Sequence, residues 1–171
     1  MAQTVTREVD AGLLIYRFGE NGPEVLLVQP GGPFFSKKDG PTWSIPKGVV
    51  EQGDALSQDD VLAAARRQFT NDTGLTLDGA FVALEPIEQR GGKLLHAYAV
   101  ECNLDLQQFR SGQFSLEWPP ASGRFELFPE VERMQYFDVR TAVRKILPPQ
   151  WPLLLEVSES LGWNIRRPRR G

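Results

Sequence analysis

Cysteine and histidine are almost absent from this chain. Among its 171 residues there is one cysteine, Cys102, and one histidine, His96. A single thiol can form neither an internal disulfide nor a cysteine-based zinc site, so we interpret Cys102 as a packed apolar thiol. His96 lies between Leu95 and Ala97 with no aspartate or serine near it in sequence, a setting more typical of a structural histidine than of a catalytic one.

Long apolar runs are missing as well. No stretch approaches the roughly 20 apolar residues that a membrane-crossing helix needs, which excludes such a helix. Residues 1–10 are polar and contain no apolar signal core, so we expect a cytoplasmic protein. Hydrophobic residues make up 41% and charged residues 24% of the chain, as in soluble globular proteins. This composition excludes a disordered chain and a coiled coil, and the length suits one domain.

Acidic and basic residues are unevenly distributed. The chain has 19 basic and 22 acidic residues and a net charge of −3. Four arginines lie within the last six residues, so the remainder has 15 basic residues against 22 acidic ones. A body this acidic is not typical of a dedicated nucleic-acid-binding protein. The tail, with Arg166, Arg167, Arg169 and Arg170, either contacts nucleic acid or an acidic partner or is a solvated, frayed end.

Local sequence patterns predict an α+β fold. Turn residues at 19–23 join two strand-like runs into a hairpin, and prolines and glycines in residues 30–41 indicate a loop. The strongest helix signal covers residues 61–73, with Asp59 or Asp60 as its cap and Gly74 after its last residue. The predicted strands are residues 11–16, 24–28, 43–45, 81–86, 93–102, 114–118 and 134–138, and the other helices are residues 141–147 and 153–161. Their order favours helices packed on a mixed sheet.

The clearest motif is residues 43–75, WSIPKGVVEQGDALSQDDVLAAARRQFTNDTGL. Gly48 opens it and residues 67–75 close it, and the whole resembles the signature of the Nudix hydrolases, GX5EX7REUXEEXGU, which forms a loop-helix-loop. The Trp-x-x-Pro-Lys-Gly lead-in, which starts at Trp43, resembles that of the diadenosine polyphosphate hydrolases. The likeness to one bacterial Nudix branch covers roughly residues 9–155.

The resemblance implies a fold and a division of the chain. We expect a Nudix-type α/β/α sandwich with a mixed sheet, the loop-helix-loop and C-terminal helices. A single Nudix domain would cover residues 9–160. Residues 1–8 would form an N-terminal extension, and residues 161–171 would form the basic tail.

Three glutamates at positions i, i+3 and i+4 of the signature helix share one face in Nudix hydrolases. They hold divalent cations that neutralise phosphate oxygens, while a base deprotonates or orients the attacking water. This chain has Gln68, Asn71 and Asp72 at those positions. Neutral amides are poor Mg²⁺ ligands and cannot act as bases, whereas Asp72 keeps its charge on a shorter side chain. The first signature glutamate is likewise replaced by the shorter Asp54.

The spacing also departs from the signature. Arg67 lies nineteen positions after Gly48, five more than the signature allows, and the insertion fits best at residues 55–59. This lengthens the loop whose backbone would hold a metal. Both departures predict a degenerate Nudix box, in which the hydrolytic site is lost or much weakened. The inserted Asp59 and its neighbour Asp60 could contribute to a rebuilt site, or they could stabilise the helix N-terminus.

The resemblance still assigns candidate site residues. The catalytic candidates are Asp72 and Glu130, with Gln68 and Asn71 at the lost glutamate positions. The metal ligands would be Asp72, Glu130, Asp54 and the backbone of Gly48. Mg²⁺ or Mn²⁺ is the expected cofactor if the protein is active, and no cofactor is the alternative.

Three residues near the motif are candidates for substrate binding, namely Lys47, Trp43 and Arg67. The position of Lys47 suits a phosphate contact, with a solvated loop lysine as the alternative. Arg67 of the signature helix orients a carboxylate partner in relatives. An aromatic ring could stack on a nucleobase or pack beneath the loop, and the candidates are Trp43, Phe34, Phe35 and Trp118.

Three functions are consistent with these residues. The first is a metal-dependent pyrophosphohydrolase of a nucleoside diphosphate linked to another group, such as a dinucleoside polyphosphate. The second is a nucleotide-binding sensor that keeps the pocket without the chemistry. The third is an interaction module that uses the acidic body or the arginine tail.

Overall fold

The computed structural model describes residues 9–33, 42–50 and 58–165. The predicted extension at residues 1–8, the arginines of the tail, Asp54, and the aromatic residues Phe34 and Phe35 lie outside these ranges. So does most of the predicted insertion, of which Gln58 and Asp59 are described. None of the helices in the described ranges combines the length and the apolar character that a membrane crossing requires.

Nine strands and three α-helices make up the described fold. The strands are β1 Val9–Gly19, β2 Gly22–Pro30, β3 Lys47–Val49, β4 Val82–Ala83, β5 Ile87–Glu88, β6 Leu94–Glu101, β7 Gln113–Glu117, β8 Phe125–Pro129 and β9 Val131–Asp138. The helices are α1 Gln58–Thr73, α2 Val139–Lys145 and α3 Trp151–Leu161. Short 3-10 turns occur at Arg90–Gly92, Leu106–Gln108 and Pro148–Gln150.

Seven of the strands form one mixed sheet. Its main order is β4-β6-β1-β2-β9, with β3 added to β1 and β5 added to β6. The pairing of β1 with β6 is parallel, and the other pairings are antiparallel. β7 and β8 form a separate two-stranded antiparallel sheet. The predicted mixed sheet of an α+β fold is therefore confirmed.

Helices cover both faces of this sheet. Leu14 of β1 packs in a core with residues of α2 and α3 such as Val143 and Leu154. Its neighbour Leu13 points to the opposite face, into a core with Phe69 of α1. Because successive strand residues alternate between faces and both faces are buried, β1 is a nearly continuous apolar run. The layers are those of the expected α/β/α sandwich.

One neighbour of β1 changes along its length from β3 to β2, and this leaves a gap in the sheet beside the candidate site. The first part of β1 pairs with β3, with Asp10 opposite Val49, whereas its last residues pair with β2, with Tyr16 opposite Val25. Residues 44–46 cross this gap, because Ser44 forms an isolated bridge with Val28 and the Leu13 amide donates to the Pro46 carbonyl. The predicted strand at residues 43–45 is thus a pair of isolated bridges rather than a regular strand.

Several predicted boundaries were wrong by a few residues. α1 begins at Gln58, so Asp59 and Asp60 lie inside its first turn and neither is the cap. Their negative charges interact favourably with the positive end of the helix dipole. α2 begins at Val139 and is capped by Asp138, whose carboxylate accepts a hydrogen bond from the Thr141 amide. A hydrogen bond from the Thr141 hydroxyl and, to a smaller extent, the one from its amide lower the pKa of Asp138.

Some elements of the fold were not predicted. These are β3, β5 and β8; β3 and β5 have only three and two residues, and β8 pairs outside the main sheet. Beyond α3, Trp163 and Ile165 pack against the core of α2 and α3, and the Trp163 ring meets Tyr16 edge-on at 5.4 Å. The folded part of the chain therefore continues past residue 160.

Candidate functional site

A cavity of about 290 Å³ lies at the gap in the sheet, beside the second half of α1. Most of its wall is apolar, with Val28, Ile45, Phe69, Val131 and Leu147 among the lining residues. Its charged and amide side chains belong to Lys47, Gln68, Asp72 and Glu130. Four predicted site residues therefore meet at one cavity, although they come from three separate parts of the chain.

Asp72 and Glu130 bring two carboxyl groups together on the cavity wall. Asp72 is the penultimate residue of α1, and Glu130 is the single residue between β8 and β9. Burial and, to a smaller extent, the nearby negative charge of Glu130 raise the pKa of Asp72 to about 6. Asp72 is therefore partly desolvated, and Glu130 lies near enough for its charge to act on the Asp72 carboxyl group.

The side-chain amide of Gln68 forms a hydrogen bond within the protein. Its Nε2 donates a hydrogen bond to the Val49 carbonyl of β3. Its Oε1 is buried, has no hydrogen-bond partner in the described part of the chain, and lies against Gly48. A side chain at position 48 would collide with this amide, so Gly48 is needed for the packing of Gln68. An ionised glutamate could not donate the bond to Val49, because a carboxylate only accepts.

Lys47 reaches a buried carboxylate that the sequence analysis did not single out. Its Nζ lies 3.2 Å from Oδ2 of Asp10, and Gln89 Nε2 donates to the same oxygen at 2.9 Å. Asp10 is only 4% exposed, so it needs this positive charge nearby. The signal in the sequence that could have identified Asp10 is its position as a charged residue within the otherwise apolar first half of β1. Lys47 thus lines the cavity while its charge is already balanced by Asp10.

Gln150 fixes the cavity wall and was also missed. It is 1% exposed, its Oε1 accepts a hydrogen bond from the Ile45 amide at 3.0 Å, and its Nε2 donates to Ser44 Oγ at 2.9 Å. The Ser44 hydroxyl donates to the Ile45 carbonyl. Nothing local in the sequence identifies Gln150, because its partners lie more than a hundred residues earlier in the chain.

Known structures share this arrangement of sheet and helices. The Ap4A hydrolase of C. elegans, solved as a binary complex, matches with a TM-score of 0.59 and 22% identity over 90% of this chain and 98% of that one. The Nudix domain of Shewanella oneidensis NrtR, solved with ADP-ribose, matches with a TM-score of 0.57 and 13% identity over 91% of this chain and 89% of that one. This chain has the Nudix fold.

The similarity to known proteins is confined to the Nudix fold. A MutT/nudix family protein of Enterococcus faecalis matches with a TM-score of 0.53 and 15% identity over 80% of this chain, which spans only 46% of that protein. No family model matches the chain, and no curated protein matches it. At these identities the likeness shows the fold alone.

Two candidate residues of the Nudix helix lie away from the cavity. Asn71 is exposed and does not line it. Arg67 is also exposed and lines a second cavity of about 480 Å³ with Asp60 and Val50. Of the three helix positions where the signature has glutamate, two therefore line the cavity with Glu130, and these are Gln68 and Asp72.

The two aromatic candidates in the described ranges, Trp43 and Trp118, do not line the cavity either. Trp43 is 6% exposed and packs edge-on against Phe137, with 4.8 Å between ring centroids. Its ring belongs to the core with α2 and α3, which is the packing alternative and corrects its assignment as a base-stacking residue. Trp118 is half-buried at the end of β7 and is not part of the cavity wall. His96 and Cys102 are half-buried outside the cavity.

The described residues at this site offer few protein ligands for a metal ion. Within the described ranges, no three His, Cys, Asp or Glu side chains lie close enough to share a metal ion. Asp72 and Glu130 supply two carboxylates, and Mg²⁺ commonly binds one or two protein carboxylates together with substrate phosphates and water. Two carboxylates match this donor chemistry, so Asp72 and Glu130 are the described residues that would hold such an ion.

Proposed function

We propose that this chain is a weak metal-dependent hydrolase of a nucleoside diphosphate linked to another group, such as a dinucleoside polyphosphate. The observation that carries this proposal is the meeting of Asp72 and Glu130 on the wall of the cavity. The structural neighbours support the ligand class, since one is an Ap4A hydrolase and another was solved with ADP-ribose.

The charged side chains of the cavity and its apolar wall have separate proposed roles. Asp72 and Glu130 would hold Mg²⁺ or Mn²⁺, which when bound supplies the positive charge that phosphate oxygens require. Lys47 contacts a phosphate oxygen at the cavity wall while Asp10 holds its ammonium in place. The apolar wall excludes water from the rest of the ligand. Hydrolysis is slow because Gln68 and Asn71 add neither negative charge nor a base.

A non-catalytic nucleotide-binding role is the second candidate. It is favoured by the hydrogen bond from Gln68 to Val49, which joins α1 to β3 without a charged group. In this second role the cavity binds the same class of ligand without hydrolysing the phosphoanhydride bond of the ligand.

Turnover and binding assays separate the two candidates. Purified protein is incubated with dinucleoside polyphosphates, nucleoside triphosphates and ADP-ribose in Mg²⁺ or Mn²⁺, and released phosphate and nucleotide are quantified. We expect slow metal-dependent release that Asp72→Ala abolishes. Asp78→Ala is the matched control, because Asp78 is exposed and lies outside the cavity.

The other outcomes are equally informative. A triple variant, Gln68→Glu, Asn71→Glu and Asp72→Glu, restores the glutamates of the signature. If the native protein shows no turnover but binds one of these ligands saturably, the binding role is supported. Activity in the triple variant would then show that only the negative charges were lost. Native protein with neither turnover nor binding overturns both candidates.

A further inference from the structure

We infer that Ser111 and Gly112 are positioning residues that set the separation of Asp72 and Glu130. The chemical importance of this separation rests on the proposed function. The positioning itself follows from the contacts of residues 110–112, which lie between the end of α1 and the link from β8 to β9.

One side of this segment binds the C-terminal end of α1. The Gly112 amide donates to the Asp72 carbonyl at 3.0 Å, and the Arg110 amide donates to the Thr73 carbonyl at 2.9 Å. The last carbonyls of a helix have no partner within the helix. Residues 110–112 supply these partners and so fix where the last turn of α1, with Asp72, lies.

The other side of the segment binds Glu130 and Val131. The Glu130 amide donates to the Gly112 carbonyl at 2.7 Å. The Ser111 hydroxyl accepts a hydrogen bond from the Val131 amide at 3.1 Å and donates to the Gly112 carbonyl at 2.7 Å. Gly112 is therefore bonded directly to the backbone of both residues that bear the paired carboxylates.

The space at Gly112 leaves no room for a side chain. A Cβ atom there would lie 2.8 Å from the Asn71 carbonyl oxygen, and 3.6 Å from both the Asp72 Cα and the Glu130 Cγ. The closest of these atoms belongs to helix backbone, which cannot swing aside as a flexible side chain can. Relief of the contact must shift either Gly112 or the end of α1. Because Gly112 is hydrogen-bonded to the backbone of both Asp72 and Glu130, we expect either shift to change the separation of the two carboxylates.

The experiment compares Gly112→Ala with Gly91→Ala. Gly91 has a φ of +83°, which disfavours alanine, but a Cβ there would meet no atom within 4 Å. In metal-free buffer, we expect the ¹H–¹⁵N signals of Asp72 and Glu130 to shift in Gly112→Ala and to stay in place in Gly91→Ala. Titration with Mn²⁺, followed by the electron paramagnetic resonance of the free ion, should show roughly 10-fold weaker binding in Gly112→Ala.

Ser111 provides a milder test that does not crowd the segment. Ser111→Ala removes the bond to Val131 and should weaken Mn²⁺ binding, whereas Ser111→Thr keeps the hydroxyl and should restore it. Unchanged Asp72 and Glu130 signals in Gly112→Ala overturn the positioning role, as does a loss of Mn²⁺ affinity that merely follows the loss of Tm in all variants. Absence of Mn²⁺ binding by the native chain overturns the metal site of the proposed function, and the metal-free spectra still decide the positioning role.

Discussion

The Gln68 amide donates a hydrogen bond to the Val49 carbonyl and so joins α1 to β3 through a neutral contact. The same amide fills the space over Gly48, where a side chain would collide with its oxygen. An amide at position 68, where the resembled signature has a glutamate, thus has a structural role in this chain. The loop side of the cavity is held in place by an amide, and no cation is needed for that contact.

Gln68→Glu should destabilise the metal-free protein. The ionised carboxylate would place an acceptor against the Val49 carbonyl and lose the hydrogen bond, at a cost of about 1 kcal/mol. Urea unfolding with EDTA measures the change, and Gln68→Met is the control because it removes the amide without adding charge. A Glu variant as stable as the native protein would show that the bond to Val49 contributes nothing.

Gly48 and Gln68 should be energetically coupled. Gly48→Ala alone forces the Gln68 amide away from Val49, and we expect a loss of about 1–2 kcal/mol. When position 68 is already alanine, the same change at position 48 should cost little. A double-mutant cycle from urea unfolding measures the coupling. Additive effects of the two substitutions would contradict the packing of Gln68 over Gly48.

Asp72 should make the stability depend on pH. Its pKa lies at about 6 in the folded chain, against an ordinary value of 3.8, so the folded state binds more protons between these values. Stability contributed by this group therefore falls as the pH rises from 3.8 through about 6. Unfolding free energies across this range, in EDTA, should show the fall in native protein. Asp72→Asn should flatten that part of the profile, and an unchanged profile would assign the effect to other groups.

Removal of Lys47 should leave a buried carboxylate with too little compensation. Lys47→Met keeps the apolar part of the side chain and removes the charge that faces Asp10 at 3.2 Å. We expect a loss of about 2 kcal/mol, less than for a fully buried pair because the Lys47 side chain is 28% exposed. The additional change Asp10→Asn should recover part of this loss. Thermal and urea unfolding of both variants provide the measurement, and no recovery in the double variant would refute the pairing.

Much of the secondary structure could be predicted because its signals are local. The hairpin of β1 and β2 follows from two apolar runs around a turn, and Gly74, with a φ of +74°, ends α1 as expected. The amides of Gln68 and Asn71, at positions where the resembled signature has glutamates, can be read directly from the sequence. These features depend on neighbouring residues, so one sequence is enough to find them.

The sequence by itself thus determined the mixed sheet, the main helix and the uncharged character of two signature positions. Only the tertiary structure decided that Asp72 meets Glu130 at a cavity, that Lys47 pairs with Asp10, and that the ring of Trp43 lies in the core. Ser111 and Gly112 gave no signal in the sequence, although they link the end of α1 to Glu130 and Val131. Such contacts join residues that are far apart in the chain, and the free energy of packing the whole fold, rather than any local preference, brings them together.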